Sequence, residues 1–382
     1  MIDWELADEV KMCTETAWRF AREKILPAMR DWETVRRIER AAHEAYAAIG
    51  LDAVDLPIED GGAALGVLGK VAVLERLAVA DPAAAIALDA HAVAYKAVAD
   101  FANQAAIERI LGPSTAKLRP DAGISVCVDL DQSLFRQANR ITGLLPWVPG
   151  GGGARRLLIV GNGELLVLDA PFDHELVRGS GLVATSAASI TLKEHAISER
   201  FASSDGCERF LAYLRLYVAS LMIGQMSAAV DAARAFCMDR VAFGRPVAHH
   251  QAVAFILVDM HMAVESCRCL MWEAAWRADS GLPWHSQAAN CFVEAADAAD
   301  FVGPYALQLH GAAGFMRDFP VEKYMRDLKT LSLMAGGVDH ARAAGVPGND
   351  SSPDTDYSHS FLAVSSMDDE SPKQVGTTER AS

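Results

Sequence analysis

The apolar and polar positions divide the chain into three stretches with different periods. Up to about residue 118, Ala, Leu, Glu, Arg and Lys dominate, all good helix formers, and the stretch reads as helical. One interruption stands out, Tyr46-Ala-Ala-Ile-Gly-Leu-Asp-Ala-Val-Asp-Leu-Pro-Ile-Glu-Asp-Gly-Gly. Gly50 suits the left-handed residue that ends a helix, and Pro57 with Gly61-Gly62 keeps the next segment irregular. A helix is expected over 65–77, and another opens at Asp81-Pro82 with proline in its first turn. His91 falls in this second helix and reads as a core or surface histidine, a place facing an active-site cavity being the alternative.

The period changes near residue 119. Short runs rich in Val, Ile, Leu and Thr, broken by Gly, Pro and Asp, predict strands over 124–128, 156–160, 164–168 and 188–192. Gly161-Asn162-Gly163 is a strong hairpin turn. Residues 150–153 form a glycine loop, but not a phosphate loop, because the Lys-Ser/Thr and the strand-loop-helix context are missing.

From 206 to about 345 the helical period returns. Leu211, Leu214, Val218, Leu221 and Met222 recur at helical spacing and face a core, and Gly224 permits another backbone to come close. Arg240-Val-Ala-Phe-Gly-Arg-Pro breaks that helix, with Gly244 free to take positive φ and Pro246 opening the next helix. Further helices cover 252–279 and 284–302. Residues 346–382 lose apolar content, gain Ser, Asp, Pro and Thr, and read as a disordered tail. The expected division is a helical domain over 1–118, a small β-domain over 119–205, a helical bundle over 206–345 and the tail.

Composition narrows the classes. The 382 residues are 51% hydrophobic and 22% charged, as in ordinary globular chains. A net charge of −15 argues against nucleic-acid binding and against an anionic membrane surface. The first residues, MIDWELADEVKMC, do not form a secretory signal, and no uninterrupted apolar run has the length of a membrane span. The seven cysteines lack C-x-x-C spacing and read as reduced, cytoplasmic, mostly core thiols; Cys267 and Cys269 point to different helix faces. No metal site has credible ligand spacing, and the adjacent His249 and His250 have no obvious partners.

The motifs are more specific. Arg240, Phe243, Gly244, Pro246 and Gln251 spell R-x-x-F-G-x-P-(x)4-Q. Gln308-Leu-His-Gly-Ala-Ala-Gly-Phe comes later in the chain, with Gly311 and Ala312 at its turn, and then Arg326-Asp327. These strings resemble the acyl-CoA dehydrogenase family, whose second motif is Q-x-x-G-G-x-G-[FY]; Ala312 is a mild departure. The Tyr46 to Gly62 stretch is similar to the family's segment before the long N-terminal helix. The resemblance covers about 1–345 and implies a mainly α fold with a small β-domain: an α-domain, a β-barrel-like domain and a four-helix-bundle domain. It implies FAD as cofactor, acyl-CoA as substrate and an electron-transfer flavoprotein as a possible acceptor. It also implies that Arg240 binds FAD pyrophosphate, Phe243 packs on the cofactor, Gln251 completes the contact, and the turn after Gln308 approaches the pyrophosphate, all on the FAD of a neighbouring subunit. Arg suits that task, because its planar fork of donors matches phosphate oxygens. Arg326-Asp327 reads as a structural ion pair. Arg215 either helps form the CoA channel, as in the family, or pairs with an acid inside the bundle.

The resemblance fails at the chemistry. The family needs a desolvated carboxylate to take the α-proton while a hydride leaves the β-carbon for flavin. Counting nine residues on from Arg326 reaches Ala335, and the alternative base position, just before Arg215, is Leu214. Neither accepts a proton. The family's T-E-P-x-x-G-S-D-like flavin loop corresponds to Val126-Cys-Val-Asp-Leu-Asp-Gln-Ser-Leu, which is unlike it. Trp147 of the family's G-x-K-x-W-I-T survives, but the flavin-contacting Thr is Pro149, and the Thr after the catalytic Glu-Gly is Gly337. The groups a subunit uses on its own FAD are degraded, and those it lends to a neighbour remain. This pattern points to the non-catalytic partner subunit of a heteromeric dehydrogenase, of the kind known in bacterial steroid side-chain degradation. The competing readings are a homomeric dehydrogenase with a base such as Asp339 or His340, a flavin monooxygenase of the same fold, and a flavin-free scaffold.

Overall fold

The computed structural model describes residues 5–112, 123–131 and 133–345, so the expected tail and the junction near residue 118 lie outside the described residues. Seven helices come first: α1 (Asp8–Phe20), α2 (Met29–Val35), α3 (Arg40–Ala48), α4 (Gly66–Ala78), α5 (Pro82–Leu88), α6 (Ala90–Ala99) and α7 (Gln104–Leu111). Their ends follow local chemistry. Gly50 takes φ 71° after α3, and the Asp81 side chain accepts from Ala83 N–H to cap α5 ahead of Pro82.

Eight strands come next: β1 (Ile124–Val128), β2 (Phe135–Gln137), β3 (Arg140–Val148), β4 (Arg156–Gly161), β5 (Glu164–Asp169), β6 (Asp173–Leu176), β7 (Ala188–Ala196) and β8 (Glu199–Ala202). They form two four-stranded sheets, β1-β4-β5-β8 and β2-β3-β7-β6, in which only β1 and β4 pair in parallel. The sheets close over a core of their own, with Ile141, Leu145 and Ile190 from one and Leu157, Ile159 and Leu166 from the other. The four expected strands are present. The pattern missed β2, β3, β6 and β8: β2 and β6 are short and exposed, and Gly143 and Pro146 interrupt β3. The expected hairpin joins β4 to β5, with Asn162 and Gly163 both at positive φ. The loop expected over 150–153 is a tight turn ending in Gly151–Gly153, held by Gly150 N–H to Thr185 O at 2.9 Å.

The last part holds α8 (Ser204–Asp239), a two-strand ribbon of β9 (Val241–Ala242) and β10 (Arg245–Pro246), α9 (Gln251–Asp279), α10 (His285–Leu309), α11 (Val321–Leu331) and α12 (Gly337–Ala344). Here α10 runs past Pro304 and beyond the expected end at 302. The central element is α8. Leu214, Val218, Leu221 and Met222 are buried, and a Cβ on Gly224 would stand 2.2 Å from Glu75 O of α4, so only glycine allows that approach. By length and composition α8 alone among the described helices could cross a membrane, because such a window tolerates charges that the sequence reading did not; 83% of that window is buried inside the protein. Buried ion pairs tie the parts together: Lys323 Nζ lies 2.9 Å from Asp81 and 2.6 Å from Asp327, whose other oxygen accepts Leu182 N–H at 2.6 Å.

Candidate functional site

Helices, sheets and the final turn enclose one cavity of about 920 Å³. From the N-terminal helices it is lined by Tyr46, Asp52, Ile86 and His91, and from the strands by β1, the residues after it, Trp147 and Pro149. Leu214 and Tyr217, three residues apart on α8, share one face and both reach it. Ala335, buried at φ 53° in the turn between α11 and α12, lines it with Met334 and Gly336. The two positions at which a base was expected, Leu214 and Ala335, therefore meet at one site. The surviving Trp147 and the substituted Pro149 stand on the same walls.

His91 corrects the bland expectation. It lines the cavity, and its Nδ1 is buried without a hydrogen-bond partner. Burial pushes its pKa down to about 4, which keeps the ring neutral near pH 7.

Beside it lies a buried polar cluster that sequence reading missed. Lys70 Nζ is fully buried, 3.0 Å from Asp55 and 2.9 Å from Asp89, and donates to Asp52 O at 3.3 Å. Tyr213 donates to Asp55 at 2.9 Å, and Tyr46 to Asp89 at 3.4 Å. Burial, against the nearby Lys70 charge, pushes Asp52 up to about 6 and Asp89 up to about 7. Tyr217 is 2% exposed, and its hydroxyl stands against the Asp89 carboxyl. The available signal was Lys70 itself, a charge inside the apolar run Val-Leu-Gly-Lys-Val-Ala-Val-Leu.

The remaining predicted residues lie elsewhere. Arg240 borders a separate cleft of about 530 Å³ with Phe236, His310 and Phe319, and this cleft shares no residue with the cavity. Arg240 is exposed and makes no ion pair among the described residues. The ribbon beyond it turns on Phe243 (φ 54°) and Gly244 (φ 79°), which leaves the Phe243 ring 96% exposed. His250, without obvious partners in the sequence, braces this ribbon through Ala242 O at 3.3 Å and Arg245 at 3.2 Å. Gln251, Gln308, Gly311 and Ala312 are all exposed. Next to them, His310 is buried and stacks on Phe236 with centroids 4.5 Å apart.

Arg215 does not pair with an acid. It is 6% exposed, donates to His340 O at 3.3 Å, makes no ion pair among the described residues, and does not line the cavity. The bundle interior there offers a carbonyl where the sequence suggested a carboxylate. Arg326 and Asp327 do not pair with each other: Arg326 binds Glu33 at 2.7 Å and Glu322 at 2.8 Å, and Asp327 binds Lys323. Asp339 is exposed and does not line the cavity. His340 Nε2 lies 2.9 Å from Asp131, which does. The seven cysteines are free, with Cys267 buried and Cys269 exposed. No cluster among the described residues fits a metal ion.

Comparison with known proteins places this geometry in context. Residues 7–117 match the profile of the acyl-CoA dehydrogenase N-terminal domain, and residues 207–343 that of the C-terminal domain. The chain is 26% identical to an acryloyl-CoA reductase (NADH) of Anaerotignum propionicum, over 88% of this chain and 93% of that one. It is 41% identical to the probable acyl-CoA dehydrogenase FadE25 of Mycobacterium tuberculosis over 129 residues, 33% of each chain. Among solved structures, butyryl-CoA dehydrogenase of Megasphaera elsdenii superposes with a TM-score of 0.76 at 20% identity, covering 90% of this chain and 98% of that one. At that identity the likeness carries the fold alone.

Proposed function

The chain belongs to the acyl-CoA dehydrogenase family, and from that premise we propose that it is the non-catalytic subunit of a heteromeric FAD-dependent enzyme that desaturates an acyl-CoA. One observation carries this reading. Leu214 and Ala335 converge on the cavity without a proton acceptor, while Arg240, Phe243, Gln251 and Gln308 all stand outside it on the exposed surface.

The exposed face fits a dinucleotide. Arg240 makes no ion pair among the described residues, and a Cβ on Gly311 would meet nothing within 4 Å, so a phosphate can come close to that turn. The cavity fits a flavin less well, because Pro149 offers no hydroxyl and the Asp129 carboxylate is buried on its wall. FAD would supply the hydride acceptor. Here Arg240 and the Gln308 turn would hold its pyrophosphate, and Phe243 and Gln251 would complete the contact, all toward a sister chain's FAD. Electrons would pass to an electron-transfer flavoprotein in the cytoplasm. The parts 1–118, 119–205 and 206–345 would act as the three domains of the family fold.

The test is flavin content, alone and after co-expression with a neighbouring dehydrogenase. The reading requires a colourless lone chain and about one FAD per pair. The size of the cavity and the His340–Asp131 pair beside it favour a second reading, an active flavoenzyme with its own base. A yellow lone chain supports that reading. Bleaching by acyl-CoA without oxygen then marks a dehydrogenase, and its absence a monooxygenase. No flavin in either preparation leaves a scaffold protein.

A further inference from the structure

Helix α9 is apolar on two sides. Met260, Val264, Cys267, Met271 and Ala274 are buried in the bundle core. Phe255, Val258 and Met262 lie on the other side, each more than half exposed. Gln251, Phe255, Val258, Met262, Glu265 and Cys269 stand four, three, four, three and four residues apart, the alternation of a seam that another helix covers. A surface helix of a monomer carries one apolar stripe, and a second one calls for a cover.

The head of this seam runs into the ribbon. The Phe243 ring meets His250, the residue before α9, edge to face with centroids 6.1 Å apart, and Val241 on the same ribbon is more than half exposed. A chain covering Phe255, Val258 and Met262 would therefore also stand over the ribbon that follows Arg240 and over Gln251, the first residue of α9.

A second copy of this chain is a poor cover. Two identical α9 helices related by a two-fold axis that sets Phe255 against Met262 bring Val258 and Asp259 to the axis. Asp259 is exposed and makes no ion pair among the described residues, so two Asp259 carboxylates would stand side by side across the seam. Like charges so placed repel. An unlike chain with the same helix geometry and a Lys or Arg opposite Asp259 gains attraction where the copy meets repulsion.

We infer that the outer face of α9 pairs with the corresponding helix of the sister dehydrogenase, an apolar seam with a basic residue opposite Asp259, and that Asp259 keeps this chain from pairing with itself. The inference rests on reading the chain as one half of a heteromer.

The experiment is a dilution series of the full chain read by light scattering, with wild type alone, Asp259→Lys alone and the two mixed in equal amounts. The mixture is expected to associate at least about tenfold more tightly than either chain with itself, and Met262→Glu in both chains to abolish that gain. In the complex with the co-expressed sister dehydrogenase, Asp259→Lys is expected to weaken association about tenfold and Met262→Glu to release the sister. Melting curves check that the variants fold; both positions are exposed. No gain on mixing, or a gain that survives Met262→Glu, overturns the inference. Wild-type self-association as tight as the mixture makes a second copy the occupant. A Met262→Glu complex that keeps its sister and its FAD takes the interface off α9 and leaves the proposed function standing. If no sister joins the wild type, the proposed function falls, and the pairing with a sister falls with it.

Discussion

Leu214 on α8 and Ala335 in the turn before α12 line the same cavity, and neither side chain can take a proton. In the family these are the two places where the base is found. A protein that had moved its base from one to the other would show one carboxylate here. This chain shows none, yet it keeps the walls around the gap. The cavity, with two unreactive side chains at these positions, gives the molecule its main experimental handles.

Arg240→Ala is expected to strip FAD from the complex while leaving the fold intact. The guanidinium makes no ion pair among the described residues, so its removal leaves no buried acid unpaired there. A charge-assisted bond of about 1.5–3 kcal/mol corresponds to a roughly 10- to 150-fold loss of flavin affinity. Visible absorbance per pair after gel filtration reads the loss, and an unchanged Tm confirms the fold. Full flavin retention would remove Arg240 from the cofactor site.

Lys70→Met should destabilise the protein strongly. The fully buried ammonium holds Asp55 and Asp89, and its loss leaves two buried acids with tyrosine hydroxyls but no cation beside them. Breaking a buried pair on one side costs about 3–5 kcal/mol. Denaturant unfolding measures it. A loss below about 1 kcal/mol would mean that the acids pick up protons at little cost.

His91→Gln should change how stability depends on pH. The folded ring titrates near 4 because it is buried, against an ordinary 6.5. As pH falls through that window the unfolded chain gains a proton that the folded one refuses, so this site lowers stability toward acid, by up to about 3 kcal/mol. Asp52 and Asp89, pushed up to about 6 and about 7, act in the opposite sense: their contribution falls as pH rises from about 4 to 7. The informative quantity is thus the difference between His91→Gln and the parent. It should favour the variant increasingly between pH 6.5 and 4 and vanish above pH 7. A flat difference would show that the ring is solvated.

Gly224→Val should loosen the contact between α4 and α8. Even the first added carbon would meet Glu75 O at 2.2 Å and the Ala78 methyl at 3.0 Å. Overpacking of this kind costs about 1–3 kcal/mol. Thermal unfolding should show a drop of several degrees, because neither backbone can withdraw without opening the core.

Local chemistry was sufficient for most of the fold. Helix periods, the Gly50 stop, the Asp81-Pro82 start and the Gly161-Asn162-Gly163 hairpin each depend on residues close together in the chain, so their pattern is written there. Strands β2, β3, β6 and β8 were not legible, because their pairing partners supply what their own short, exposed or Pro- and Gly-containing runs lack. The Arg240 to Gln251 string was legible for the same reason as the hairpin: it is one continuous segment, and the ribbon only displays it. Tyr46, Asp52, Lys70, Asp89 and Tyr217 were not. They come from α3, the turn after it, α4, the α5–α6 junction and α8, and become one cluster only when these elements pack. The sequence by itself determined that positions 214 and 335 carry no proton acceptor and that Arg240, Phe243, Gln251 and Gln308 stand in their two motifs. Only the tertiary structure decided that Leu214 and Ala335 share a cavity and that its wall is polar, because side chains distant in the chain acquire a common dielectric and common partners only after the chain has folded.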